Sequence, residues 1–260
     1  MCKLLWKIFE EECFDYLKNT YKNTKFRYLG KADSTISDIE VIDKNFFIEV
    51  KSSKSQCGQF VVLENENVFQ YSYKNKTCIN KYSEDIINYM NRNFLKFNNA
   101  GTNGVDIDMD KKVFASWIIN YYKTKNTKYF ITKGNNYIVI PLEKINEYFD
   151  ITACYRVKKS GSSNPSIKNI NEIADFFKYN SINFELKIND KKLYIITEYH
   201  LDKKIKINNY SYQFNNINKN IYNIRKLSNT NNANVIFSIK LIKNYQKEED
   251  LRLFLEDIKL

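Results

Sequence analysis

The sequence predicts an α/β fold: a central mixed β-sheet flanked by helices, with an additional β-rich C-terminal part. Three observations carry that reading. The first twenty or so residues place apolar side chains at helical spacing. Short runs of β-branched and aromatic residues then alternate with helical stretches to about residue 150. Beyond residue 180 strand-like runs dominate until a closing helix. A chain of 260 residues is long enough for one large α/β domain, or for a core with a substantial insertion.

Taken in order, residues 3–22 form an amphipathic helix. Leu5, Phe9, Cys13, Tyr16 and Leu17 make its apolar face, with Glu10 and Glu12 on its flanks. Strands are predicted near 25–29, 37–42 and 46–51, followed by the segment K-S-S-K-S-Q-C-G-Q-F-V-V-L. Ser83 opens a helix over 83–96. Strands follow near 113–122, 128–133 and 136–140; Pro141 ends the last, and L-E-K-I-N-E-Y-F begins a short helix. Residues 155–165 are a basic strand running into a Ser/Gly loop. A helix at 168–179, strands near 182–187 and 192–198, and a Lys203-Lys204-Ile205-Lys206 run come next. The Asn-rich stretch 208–232 reads as an irregular or DNA-reading region, since Asn can read adenine bidentately, before a strand at 233–242 and a helix at 247–257. No internal repeat is evident, and two prolines with six glycines leave no linker composition.

Residues 37–51 read S-D-I-E-V-I-D-K-N-F-F-I-E-V-K. Alternate residues of a strand share a face, about 6.6–7 Å apart. Glu49 and Lys51 therefore lie together, while Ile48 and Val50 supply the buried side. A two-residue turn at Lys44-Asn45 would pair Asp38 with Lys51 and Glu40 with Glu49, all on one face. A slip of one residue would send Asp38 to the opposite face. Carboxylates and an ammonium on one patch make a divalent-metal site with a positive group beside it.

This arrangement resembles the PD-(D/E)XK nuclease superfamily and, within it, the type II restriction endonucleases. The pattern is an acid at the end of one strand, then acid-x-Lys on the next. Asp38, Glu49 and Lys51 fill those positions, and Ser37 stands where the motif's name has Pro. The resemblance is strongest over residues 7–60, in K-A-D-S-T-I-S-D-I-E-V and F-F-I-E-V-K-S-S-K-S-Q-C-G-Q-F. The family often adds a carboxylate from its first helix, in an F-E-x-x-apolar-x-x-x-Leu pattern. Phe9-Glu10, Cys13 and Leu17 match it, which selects Glu10 over Glu12.

The resemblance implies a restriction-endonuclease-like catalytic core over residues 1–150. Residues 151–260 would complete the sheet and recognise DNA, packed with the core as one continuous domain. It implies Mg²⁺ held by Asp38 and Glu49, with Lys51 orienting or deprotonating the attacking water. Double-stranded DNA would be cut at specific sites to leave 5′-phosphates. A homodimer suits a palindromic site, and a cognate DNA methyltransferase would accompany the enzyme. Two other readings share these residues: a structure-specific repair nuclease or junction resolvase on the same core, and a non-catalytic DNA-binding protein.

Composition agrees. A formal charge of +11 and a pI near 9.2 point to a polyanionic partner, with nucleic acid the default. Lys54 and Gln59, just past Lys51, are candidate DNA contacts, though Gln59 could equally cap local backbone. Arg156, Lys158, Lys159, Ser160 and Ser162 are a second set: Arg can fork to guanine while Lys and Ser hold phosphates. His200 is the only histidine, which excludes a zinc finger, a histidine-metal nuclease and a Ser-His-Asp hydrolase. The five cysteines are odd in number and scattered, as reduced thiols of a cytoplasmic protein would be. No signal peptide and no membrane-length apolar run is visible.

Overall fold

The computed structural model describes residues 5–30, 36–73 and 78–259. Cys2 and the K-A-D-S-T run at 31–35 lie outside the described residues. The chain forms two compact units, Met1–Arg156 with Ala233–Leu260, and Val157–Asn232.

The first unit opens with α1 (Leu5–Thr20) and the strands β1 (Phe26–Tyr28), β2 (Ile39–Val41), β3 (Phe46–Val50), β4 (Lys54–Asn65) and β5 (Val68–Tyr71). Helices α2 (Lys81–Arg92) and α3 (Phe94–Phe97), strand β6 (Val105–Asp106) and helix α4 (Lys111–Lys123) follow. Then come β7 (Thr127–Lys133), β8 (Tyr137–Pro141), α5 (Ile145–Tyr148) and β9 (Phe149–Lys159). One five-stranded sheet runs β1-β2-β3-β7-β8 and is mixed, because β3 and β7 pair in parallel while its other pairs are antiparallel. On one face Ile39, Val41, Ile48, Val50 and Ile131 pack against Cys13 and Leu17 of α1. Phe254 and Ile258, from the C-terminal end of the chain, join the same cluster.

The second unit holds β10 (Ser162–Ser163), α6 (Ile167–Tyr179), β11 (Glu185–Asn189), β12 (Lys192–Ile196), β13 (Lys204–Ile207), β14 (Tyr210–Asn218) and β15 (Ile221–Leu227). Its sheet runs β11-β12-β15-β14-β13, with β10 paired to the far end of β15. Ile173 and Phe177 of α6 pack with Leu193, Ile195, Tyr212, Phe214, Tyr222 and Ile224 of the strands. The chain then returns to the first unit through β16 (Asn231–Leu241) and α7 (Glu248–Ile258). There β16 lies between β4 and β9 in a second five-stranded sheet, β5-β4-β16-β9-β6.

Three expectations are corrected here. Residues 113–122 are helix, not strand. Phe114, Trp117, Ile118, Tyr121 and Tyr122 are buried at i, i+3, i+4, i+7 and i+8, and Asp110 caps the start by accepting from the Lys112 N–H at 2.9 Å. The Asn-rich stretch is two regular strands, β14 and β15, because Tyr212 with Phe214 and Tyr222 with Ile224 alternate inward between the asparagines. The compact units divide at 156/157 and 232/233 rather than at 150, since β16 and α7 complete the first unit. Smaller differences lie at element ends: Asn80 caps α2, with Ser83 closing the capping box three residues in.

Candidate active site

The connection between β2 and β3 is a 3-10 turn over Ile42–Lys44 followed by Asn45 in the left-handed region at φ 50°. This longer turn sets Ile39 opposite Ile48, Glu40 opposite Phe47 and Val41 opposite Phe46. The pairing differs by two residues from the one a Lys44-Asn45 turn gives. An even slip preserves the faces, so Asp38 still falls on the Glu49 side, now opposite Glu49 rather than Lys51. Glu40 is drawn away from the cluster. Arg27, its partner on β1, donates to it through Nε at 2.7 Å and also pairs with it through Nη2.

Each charged group is fixed by the backbone or a neighbour. The Val50 N–H donates to Asp38 Oδ2 at 2.8 Å. Ser37, buried, shares a 2.8 Å hydroxyl contact with Thr127 at the start of β7 and anchors the residue before Asp38. The Lys51 N–H donates to the Ile131 carbonyl at 2.9 Å, extending the β3–β7 pairing through Lys51. Its ammonium donates to Glu49 Oε1 at 2.6 Å, and the Tyr122 hydroxyl of α4 donates to the same oxygen at 3.0 Å. Glu49 is only 7% exposed. Among the described residues, no donor reaches Asp38 Oδ1 or Glu49 Oε2. Each carboxylate thus has one oxygen tied to a donor and one that no described donor reaches.

The electrostatics follow from that crowding. Burial, and then the Glu49 charge, push the Asp38 carboxyl up to about 7, with Lys51 opposing. Burial works against the Lys51 charge, but Glu49 and its hydrogen bond outweigh it, so the net shift is upward and the ammonium stays charged. Burial and the nearby Glu49 keep Tyr122 well above the ordinary phenol value. Burial likewise pushes the Cys57 thiol up to about 12, which leaves it an inert neighbour of Lys51 and Tyr122.

Glu10 is close enough to this centre for the Glu49 and Lys51 charges to act on it. Glu10 Oε2 accepts from the Tyr28 hydroxyl at 3.0 Å. Its pKa is raised by burial and, to a lesser extent, by Glu49, while Tyr28 and Lys51 oppose. Glu12 instead pairs with Lys133 at 3.9 Å on an exposed flank.

Among the described residues, no three Asp, Glu, His or Cys side chains converge tightly enough to hold an ion unaided. That is not a misfit for magnesium, which takes one or two carboxylates and completes its shell with water and substrate phosphate. The two oxygens that no described donor reaches, on carboxylates buried beside one another, suit a small hard cation.

Past Lys51, strand β4 carries a bulge. Gln59 pairs with Ile236 and Gln56 with Ser238, so Cys57 and Gly58 together oppose Phe237. The extra residue changes the phase of the strand. Lys54, Gln56 and Gln59 all come to the exposed side, where Gln56 Nε2 donates to Gln59 Oε1 at 3.0 Å. Only glycine suits position 58, at φ +124°: a Cβ there would stand 2.7 Å from the Trp117 ring.

The second candidate set divides between the units. Arg156 ends the first unit's share of β9, and its Nε is buried with no partner among the described residues. Lys158 is exposed on the second unit's share, and the side chain of Lys159 lies outside the described residues. Ser160 and Ser162 are engaged internally. Ser160 Oγ meets Thr230 Oγ1 at 2.8 Å and Asn232 Oδ1 at 3.1 Å. Arg225 donates to Ser162 Oγ at 3.2 Å and to the Ser162 carbonyl at 2.7 Å. The loop is therefore a stitched structure that presents Lys158 from a defined backbone.

Sequence reasoning missed Tyr122, Thr127 and Arg225. Tyr122 was the most accessible of these: reading residues 111–123 with helical periodicity puts it on the buried face of α4.

No family model matches the chain, and no curated protein does. Among solved structures, the chain is similar to HhaI endonuclease in complex with DNA, at 38% sequence identity and a TM-score of 0.82. The likeness covers 99% of this chain and 100% of that one, so it takes in both units rather than a shared core alone. With the Asp38, Glu49 and Lys51 geometry, it establishes that the chain belongs to the type II restriction endonucleases of the PD-(D/E)XK nuclease superfamily.

Proposed function

We propose that this chain is a type II restriction endonuclease that hydrolyses phosphodiester bonds of double-stranded DNA at a specific site. The reaction requires Mg²⁺ and leaves 5′-phosphate ends. The observation that carries this reading is the convergence of Asp38, Glu49 and Lys51 at adjoining strand ends, in a chain similar along its whole length to an endonuclease solved with DNA.

Asp38 and Glu49 would hold the ion through the oxygens that no described donor reaches. Bound there, Mg²⁺ supplies positive charge to the phosphate and acidity to water. The chain's own residues do the rest. The Val50 N–H keeps Asp38 from rotating, and in the metal-free protein Lys51 and Tyr122 both hold Glu49. Lys51, charged in this setting, orients the attacking water and offsets the negative charge that builds on phosphorus. That favours orientation over proton abstraction as its role. Glu10 adds negative charge at the rim and, with Tyr28, bounds the site on the α1 side.

DNA contacts are assigned to Lys54 and Gln59 on the exposed side of β4, and to Arg156, Lys158, Lys159 and the loop shaped by Ser160 and Ser162. A homodimer would cut both strands of a palindromic site in one encounter. Sedimentation of the DNA complex, together with the lifetime of nicked intermediates, distinguishes it from a single copy cutting strands in turn. A cognate DNA methyltransferase would protect host copies of the site.

The test is incubation of the purified protein with long mixed-sequence DNA, with and without Mg²⁺. Discrete Mg²⁺-dependent fragments with uniform ends are expected. A smear or structure-selective nicking would point instead to a repair nuclease or resolvase, and intact DNA under both conditions to a binding protein.

A further inference from the structure

Glu49 Oε1 accepts from two donors, the Lys51 ammonium at 2.6 Å and the Tyr122 hydroxyl at 3.0 Å. The two differ in what the reaction demands of them. Lys51 neutralises Glu49 in the free protein, yet hydrolysis needs its charge at the water and the phosphate. Once it turns toward them, Glu49 would lose the one cation that hydrogen-bonds it among the described residues, and its orientation would depend on the remaining donor. We propose that Tyr122 is the positioning residue that keeps Glu49 in its metal-facing orientation, so that Lys51 is free to serve the reaction. This rests on the nuclease reading of the site and adds a residue that the acid-x-Lys pattern does not contain.

The surroundings of Tyr122 suit that task. It is 2% exposed, its ring edge-on to Phe130 at 4.9 Å and to Tyr121 at 5.0 Å. A tyrosine so packed has two torsions to lose and none free to wander. Lys51 Nζ lies 5.7 Å from the Tyr122 ring centroid. Lys125 Nζ lies 5.1 Å from the same ring and 4.4 Å from that of Tyr121. Two ammonium groups thus engage the aromatic pair, adding cation–π attraction to the packing that holds the hydroxyl in place. Helix α4 itself is fixed further along the same buried face, where Trp117 stacks on Phe237 at 4.0 Å. Partners that orient metal-ligating side chains change metal affinity or rate by about 10–100-fold when removed.

The experiment compares Tyr122→Phe with wild type, Tyr121→Phe and Phe130→Leu. Two quantities are read: Mn²⁺ affinity of the protein alone, by the electron paramagnetic resonance of free Mn²⁺, and single-turnover DNA cleavage against Mg²⁺ concentration. Tyr122→Phe should weaken Mn²⁺ binding about tenfold, raise the half-saturating Mg²⁺, and lower the rate at saturation about tenfold, while keeping the wild-type melting temperature. Phe130→Leu should lower the melting temperature and cost clearly less Mn²⁺ affinity than Tyr122→Phe. Tyr121→Phe should change neither metal affinity nor rate. Wild-type Mn²⁺ affinity and rate in Tyr122→Phe would overturn the proposal. So would equal losses of affinity in Tyr122→Phe and Phe130→Leu, which would mark a packing effect. Should wild type cleave no DNA, the nuclease reading fails, while the Mn²⁺ comparison still decides the role of Tyr122.

Discussion

Asp38 is where the residue scale is most informative. Its carboxyl is lifted to about 7 because it is buried and faces Glu49. Below that pH the metal-free protein holds a proton there, and a cation must displace it. Metal binding should therefore strengthen as pH rises through about 7. The same shift sets a stability effect. The unfolded chain releases this proton near the ordinary carboxylate value of about 3.9, whereas the native protein retains it until about 7. The native state thus binds more protons over that window, and stability falls as pH rises through it. Asp38→Asn removes the penalty while keeping an acceptor for the Val50 N–H. It should stabilise the metal-free protein by roughly 1–3 kcal/mol at pH 8, a rise of several degrees in melting temperature, and by less at pH 5. Cleavage should be lost. A variant that melts below wild type at both pH values would show that Asp38 is a structural acid rather than a strained one. The adjacency of Asp38, Glu49 and Lys51 was legible because it depends on parity within neighbouring strands, which survived a two-residue error in register. The donors around them were not legible: Thr127 and Tyr122 lie 90 and 73 positions from Ser37 and Glu49.

At the scale of elements, the bulge in β4 does two things at once. It turns Gln56 and Gln59 to the same exposed side as Lys54, and it leaves Gly58 where Trp117 closes over the backbone. Gly58→Ala meets both a left-handed φ and a ring 2.7 Å away that is itself stacked on Phe237. Thermal unfolding should show a loss of about 2–4 kcal/mol. A variant melting within a degree of wild type would mean the bulge readily rearranges. Two misreadings here share a cause. Residues 113–122 are rich in aromatic and β-branched side chains, and composition suggested a strand where the spacing of buried positions specifies a helix. In 208–232 the asparagines obscured a period of two in the tyrosines, phenylalanine and isoleucine between them. In both, periodicity was the better guide than residue type.

Across the whole molecule, the division of the chain could not be read from sequence. No Pro- or Gly-rich linker marks 156/157 or 232/233, because the crossings occur inside β9 and β16. The return of β16 and α7 also places them in the same unit as α1. Phe254 and Ile258 pack in the cluster that contains Ile48 and Val50, the residues flanking Glu49. The net charge of +11 is spread well beyond Asp38, Glu49 and Lys51, so affinity for DNA and the proposed chemistry should separate under mutation. The most direct measurement compares wild type with Lys51→Ala on a duplex carrying the mapped site, reading equilibrium binding without metal and single-turnover cleavage with Mg²⁺. Binding within about threefold of wild type, with cleavage reduced on the order of 10²–10³-fold, is the predicted result. Cleavage near the wild-type rate, or binding lost in step with it, would contradict the assignment of Lys51 to the chemical step.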